Sequence, residues 1–233
     1  MKESDMKAPV IDRRIFEIAP DFRAVSIHVD ATAAGTGSLP SSMLEDAYNV
    51  ALSSGPPWAQ DHLASWAEVY SRFGAKPNRA PSSAAALRQR VIKNGPMPSI
   101  NPVVDLYNAV SIRFALPVGG ENLDAYAGAP HLTIADGTEP FDTVANGEPV
   151  TEHPLRGEVV WRDELGVTCR RWNWRQGIRT RLEPGARRMW FVLEALGTMP
   201  DDGLDAAADM LTSGLTSLLP GCRLERDELR ASP

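Results

Sequence analysis

The chain of 233 residues is short of cysteine, of long apolar runs and of positive charge, and each shortage removes a class of function. Cys169 and Cys222 are its only cysteines; they lie far apart in neither a CxxC nor a CxxH spacing, which counts against metal and disulfide readings, and both read as reduced thiols. No stretch of about 18 apolar residues occurs, which excludes a membrane-spanning helix. The opening MKESDMKAPVIDRR carries charges where a signal peptide needs an apolar centre. The expectation is a soluble cytoplasmic protein with no metal, cofactor or membrane partner. A net charge of −6 argues against indiscriminate coating of nucleic acid, DNA included, but allows a local basic surface. G-x-S-x-G, HExxH and Walker patterns are missing too, which counts against serine hydrolase, metalloprotease and nucleotide triphosphatase readings.

What is present suits a folded protein. A composition 43% hydrophobic and 23% charged gives a core and a solvated surface. A chain of this length buries roughly 70 to 75% of its unfolded surface. Alternation over residues 24–31 predicts a strand with Val25, Ile27 and Val29 on one face and Ser26, His28 and Asp30 on the other, followed by a glycine-rich turn. Residues 39–55 and 56–74 predict two helices, the first capped by Ser41 or Ser42, the second opened by Pro56 or Pro57. Residues 80–95 predict a third, with a serine N-cap and an Asn94-Gly95 stop. A short helix over 103–109, a strand over 110–116 and a tight turn at Gly119-Gly120 follow.

From His131 onward the pattern is of short strands, with 163–166 as a hairpin turn, then a strand over 187–196, an amphipathic helix over 201–221 and a last edge strand. Helices gather early and strands late, so the class is α+β, and the preferred parse is one domain spanning 1–233.

One stretch stands against the acidic total. CRRWNWRQGIRTRL, residues 169–182, concentrates arginine beside tryptophan. If 167–175 is extended, Arg171, Asn173 and Arg175 share a face with Cys169, while Arg170, Trp172 and Trp174 share the other with Thr168. Guanidinium forks grip phosphates and indoles stack on bases, so this face suits an RNA end. Equally, the indoles can be core and the arginines paired with acidic residues.

INPVVDLYNAVSIRFALPVGGENLDAYAG, GTEPF, GEVVWRDELGVTCRRWNWRQ and RTRL together resemble the B3/B4 domain family, over roughly residues 75–220, with 1–74 as a strand and helical extension. The family is named for the editing module of the phenylalanyl-tRNA synthetase β subunit and includes freestanding bacterial proteins. The resemblance implies a mixed β-sheet domain with flanking helices. It also implies a trans-editing hydrolase that removes a wrong amino acid from the 3′ end of tRNA by water attack on the ester. By the same resemblance Asn108 of LYNAV is a pocket residue beside Tyr107, Asp124 stands where the family has a histidine, and Glu194 of WFVLEAL matches a glutamate that reads the substrate side chain. Only Gly177 remains of a family double glycine.

Hydrolysis of such an ester needs a positioned water, oxyanion donors and a pocket, but no nucleophilic side chain. The residues expected to act are therefore Asn108, Asp124, Glu194 and Gly177. Tyr107, Gly119, Gly120, Trp172 and Trp174 are expected to hold substrate, and Arg171, Arg175 and Arg179 to hold the terminal phosphates of tRNA. His131 and His153 read as strand and loop residues, and Glu158 as facing solvent or an arginine. Two other functions stay open: a noncatalytic tRNA or RNA-end binding module, and a protein that binds a small amino-acid-like molecule. The sequence gives no oligomeric state.

Overall fold

The computed structural model of the chain describes residues 8–31, 37–40 and 42–231; Ser41, and most of the glycine-rich turn after residue 31, lie outside them. The first half runs β1 (Val10–Ile11), α1 (Ile15–Ile18), β2 (Arg23–Asp30), α2 (Ser42–Leu52), α3 (Ala59–Arg72), α4 (Ser83–Asn94) and α5 (Pro102–Phe114). Then come β3 (Val118–Asn122), a single 3-10 turn (Leu123–Ala125), β4 (His131–Ile134), β5 (Phe141–Ala145), β6 (Glu148–Glu152), β7 (Val159–Arg162) and β8 (Val167–Arg170). β9 (Arg175–Gln176), β10 (Arg188–Ala195), α6 (Asp201–Leu218) and β11 (Arg223–Arg230) complete an α+β architecture.

An antiparallel sheet in the order β11-β2-β10-β3 lies at the centre. One face carries Val25, Ile27, Val29, Phe191 and Leu193 and packs on Leu106 and Val110 of α5 and Leu204, Leu211 and Leu215 of α6. The opposite face carries Ala24, Trp190 and Val192 and meets Trp66, Val69 and Tyr70 of α3, together with Leu132, Val159 and Trp161 of a second sheet, ordered β1-β4-β7-β8-β9. Burying each such large side chain stabilises the fold by about 1.5–3 kcal/mol. β2 is thus covered on both sides, and its Ser26 and His28 are buried rather than solvated. Ser26 Oγ accepts a hydrogen bond from Trp190 Nε1 at 3.0 Å.

Three local expectations are corrected. Residues 110–114 continue α5 instead of forming a strand: Asn101 caps the helix by accepting from Val104 N–H at 3.0 Å, and Pro102 suits its first turn. The β-branched run looked extended because Val110 and Ile112 are buried on different sides of a helix packed all round. Gly119-Gly120 is no turn but the middle of β3, where a Cβ on Gly120 would come within 2.8 Å of Tyr107 Cε1 and 2.9 Å of Phe191 Cε1. Lastly, 167–175 is not one strand. β8 stops at Arg170, and Arg171 and Trp172 take left-handed φ values of 47° and 67°. Such angles cost of order 1–3 kcal/mol each and persist only where the surroundings impose them.

Candidate functional site

The turn at 171–174 makes one wall of a cavity of about 280 Å³ beside β3, the edge strand of the central sheet. The reversal sends Trp172 inward, fully buried, with its ring edge-on to Phe22 and Trp66 at centroid distances of 5.0 and 5.3 Å. Asn173 also turns inward, its Oδ1 accepting from Tyr70 Oη at 2.7 Å. Trp174 stays at the rim, covered by the Arg171 guanidinium 4.2 Å from its ring centroid. The expected alternation, with Asn173 among the arginines and Trp172 beside Trp174, is therefore broken by two backbone angles.

α5 brings Tyr107 and Asn108, and α4 brings Ser83 from its first turn, where Ser83 N–H donates to Asn173 O at 3.2 Å. β3 contributes Gly119, Gly120 and Glu121; Trp190, Val192 and Glu194 come from β10. Because antiparallel pairs alternate between hydrogen-bonded and open, Glu194 N–H donating to Pro117 O at 3.0 Å fixes the pattern. Gly119 then bonds to its partner Val192, while the Gly120 peptide groups turn away from β10, where Gly120 O accepts from Gln176 Nε2 at 2.8 Å. Of the two glycine amides only that of Gly120 is left facing away from the ladder.

Glu194 is the most elaborately held group. It is 1% exposed, and its Oε1 accepts from Trp161 Nε1 at 2.9 Å and Trp172 Nε1 at 3.0 Å, while Oε2 accepts from Asn173 Nδ2 at 2.9 Å. Burial pushes its pKa up to about 7 against the opposing pull of these three donors. Glu121 is also buried, and burial raises it to about 8, with Thr180, Gln176 and Arg179 pulling the other way. Its Oε2 has no hydrogen-bond partner among the described residues, and neither has Ser83 Oγ, another group of the lining. Cys169 lines the cavity as a thiol that burial drives well above its usual range, so it is no nucleophile.

Of the residues singled out in the sequence, Tyr107, Asn108, Gly119, Gly120, Trp172, Trp174 and Glu194 meet at this cavity. Asp124 does not: it sits in the exposed 3-10 turn, 3.4 Å from Arg188. Gly177 N–H is taken by Thr168 O at 2.7 Å, so it cannot stabilise an oxyanion. Arg179 is committed to Asp163, through contacts of 2.9 and 2.8 Å, and to Ala125 O, which makes it a structural clamp rather than a free phosphate ligand. Arg175 lies 3.5 Å from Glu152 and donates to Val144 O. Arg171 and Arg175 both lie over the rim residue Trp174, at 4.2 and 5.8 Å from its ring centroid, and Arg171 is also 3.9 Å from Glu158. Glu158 faces an arginine: its two oxygens accept from Arg170 at 2.9 Å each.

Glu121, Asn173, Trp161 and Trp190 escape the sequence reading as site residues. Glu121 directly follows the double glycine, but only the register that sets it opposite Trp190 reveals where it points. No helix among the described residues is long and apolar enough to cross a membrane, and no three metal-ligating side chains cluster among them.

Residues 65–199, more than half the chain, match the family described as the B3/4 domain. No curated protein matches the chain. Among solved structures, an N-terminal fragment of the phenylalanyl-tRNA synthetase beta-subunit from Pyrococcus horikoshii aligns with 99% of this chain and 56% of that one, at 11% identity and a TM-score of 0.47. The chain thus spans little more than half the length of that fragment.

Proposed function

The chain belongs to the B3/4 domain family, and from that premise we propose that it is a cytoplasmic trans-editing deacylase, taking the aminoacyl end of a mischarged tRNA into the cavity and hydrolysing the ester. The observation that carries the reading is Glu194, a buried carboxyl poised near neutral pH in the wall of a cavity that also holds Asn108. A group with a pKa near the working pH serves best as base and acid in turn.

The chemistry asks little more of the chain. Glu194 Oε2, which has one acceptor site beyond Asn173, orders the water and takes its proton as the water oxygen bonds to the ester carbonyl carbon. Asn108 Nδ2 and the Gly120 N–H stabilise the resulting oxyanion. Collapse breaks the bond to the ribose oxygen, which receives the proton from Glu194, and releases the free amino acid. Trp172 and Trp190 give the side-chain pocket its apolar lining, and Arg171 over Trp174 offers a cation and a stacking surface to the terminal nucleotide at the rim.

The position of Asp124 outside the cavity favours a second reading, a module that binds the tRNA end without cleaving it. One experiment separates them. The purified protein is incubated with tRNAs charged with cognate and noncognate amino acids, and ester loss is followed beside tRNA binding. Selective loss from one mischarged pair supports the deacylase; binding without loss on any pair leaves the module.

A further inference from the structure

The cavity holds two buried carboxyls, and they are not equivalent. Glu194 has three N–H donors, whereas Glu121, 5% exposed, has an oxygen with no partner among the described residues. Burial keeps such a carboxyl neutral, and a counter-charge brought beside its unpartnered oxygen favours the ionised form. We propose that Glu121 is the charge partner of a ligand ammonium in this cavity, so that the substrate class is one with a free amino group. The inference rests on the deacylase reading and sharpens it: an unblocked aminoacyl ester fits, and an N-acylated or peptidyl ester does not.

No cation among the described residues fills this place. Arg179 is engaged by Asp163 and the Ala125 carbonyl. Arg181 is bridged to Glu121 through the backbone, but its side chain is exposed and makes no ion pair with Glu121. Asp163, paired with Arg179, adds a carboxylate that pushes Glu121 further up, while Tyr107 from α5, Tyr126 after the 3-10 turn and Cys169 from β8 are raised by burial and stay neutral. The surrounding wall is aromatic, with Trp161, Trp172, Trp174 and Trp190 all in the lining, and the faces of indole rings attract a desolvated ammonium. Burial holds the empty Glu121 largely protonated at neutral pH, and an arriving ammonium favours the ionised form, so binding releases a proton.

The test measures binding, not turnover. Amino alcohols with different side chains, which keep their ammonium through neutral pH, are titrated into the intact protein by calorimetry in two buffers of different ionisation enthalpy. Each is compared with the same alcohol lacking the amine and with an isomer carrying the amine at the chain end, which separates an α-ammonium from a side-chain one. The expected result is that an amino alcohol binds about tenfold or more tighter than its deamino counterpart and releases close to one proton. Glu121→Gln should abolish both differences, and Glu121→Asp should restore part of each. Equal binding of amine and deamino forms, no binding of any amine, or discrimination that survives in Glu121→Gln overturns the inference. A protein that binds the amine through Glu121 but cleaves no tRNA ester keeps this inference and loses the deacylase; one that cleaves equally well as Glu121→Gln does the reverse.

Discussion

Trp172 Nε1 donates to Glu194 Oε1 across 3.0 Å, tying a left-handed turn residue to the centre of the main sheet. The contact explains why the turn reverses: the indole reaches the buried carboxyl only if the chain abandons the strand at Arg170. Trp172→Phe keeps most of the apolar packing and deletes this donor. It should destabilise the fold by about 1.5–3 kcal/mol, the range for a hydrogen bond to a charged group, read as a lower urea midpoint.

Glu194→Gln should act on both stability and activity. It places an amide N–H₂ among Trp161, Trp172 and Asn173, all of which donate, and leaving a buried donor without an acceptor costs about 1–3 kcal/mol. Loss of the base should lower ester hydrolysis by about 10²-fold or more. In the wild type the rate should rise with pH through about 7 as the carboxyl ionises.

Stability should fall as pH rises. Glu121 and Glu194 both have folded pKa values raised by burial, to about 8 and about 7, above that of an unfolded glutamate. Their contribution is fully present below the unfolded pKa and is lost as pH passes through the folded values. The melting temperature of Glu121→Gln should therefore exceed that of the wild type most clearly above about pH 8, and by less near about pH 5. Scanning calorimetry of both proteins across that range checks the sign.

The arginines should divide by what they touch. Arg179→Ala removes both contacts to Asp163, whose side chain is fully buried, and should lower stability by about 1–3 kcal/mol. Arg171→Ala should lower stability by only about 0.5–1 kcal/mol, the range for its cation–π contact with Trp174, but weaken tRNA binding, with the salt slope reduced by roughly 0.7 to 0.9 if one phosphate contact is lost. Salt-dependent filter binding on both variants separates the clamp from the RNA contact.

The order of elements was largely legible, because caps and stops are local. Ser82 and Gly95 bound α4 as their residue types suggest, and 163–166 joins β7 to β8 as a tight turn. The Asn146-Gly147 hairpin between β5 and β6 carries an equally plain signal, with both residues at positive φ. Much of the site was less accessible. Gly120 reads as a turn because its real requirement, room for Tyr107, depends on how α5 folds back onto β3. Asn173 was grouped with arginines by a period of two that Arg171 and Trp172 interrupt. Asp124, Gly177 and Arg179 were selected by residue type and motif position, which carry no information on a neighbour such as Arg188, Thr168 or Asp163.

Gly120→Ala would force a methyl group against Tyr107, Phe191 and Leu182, all within 3.0 Å. We expect a loss of about 1–3 kcal/mol and a displaced Tyr107 ring, visible as changed tyrosine signals by NMR.

The claim that this cavity is where an aminoacyl ester is cleaved is tested most directly by single-turnover hydrolysis of a mischarged tRNA by wild type, Asn108→Ala and Glu194→Gln, with tRNA affinity measured in parallel. The account predicts rates lowered by about 10²-fold in both variants with tRNA binding little changed. Undiminished hydrolysis in both, or no hydrolysis of any mischarged tRNA by the wild type, would contradict it.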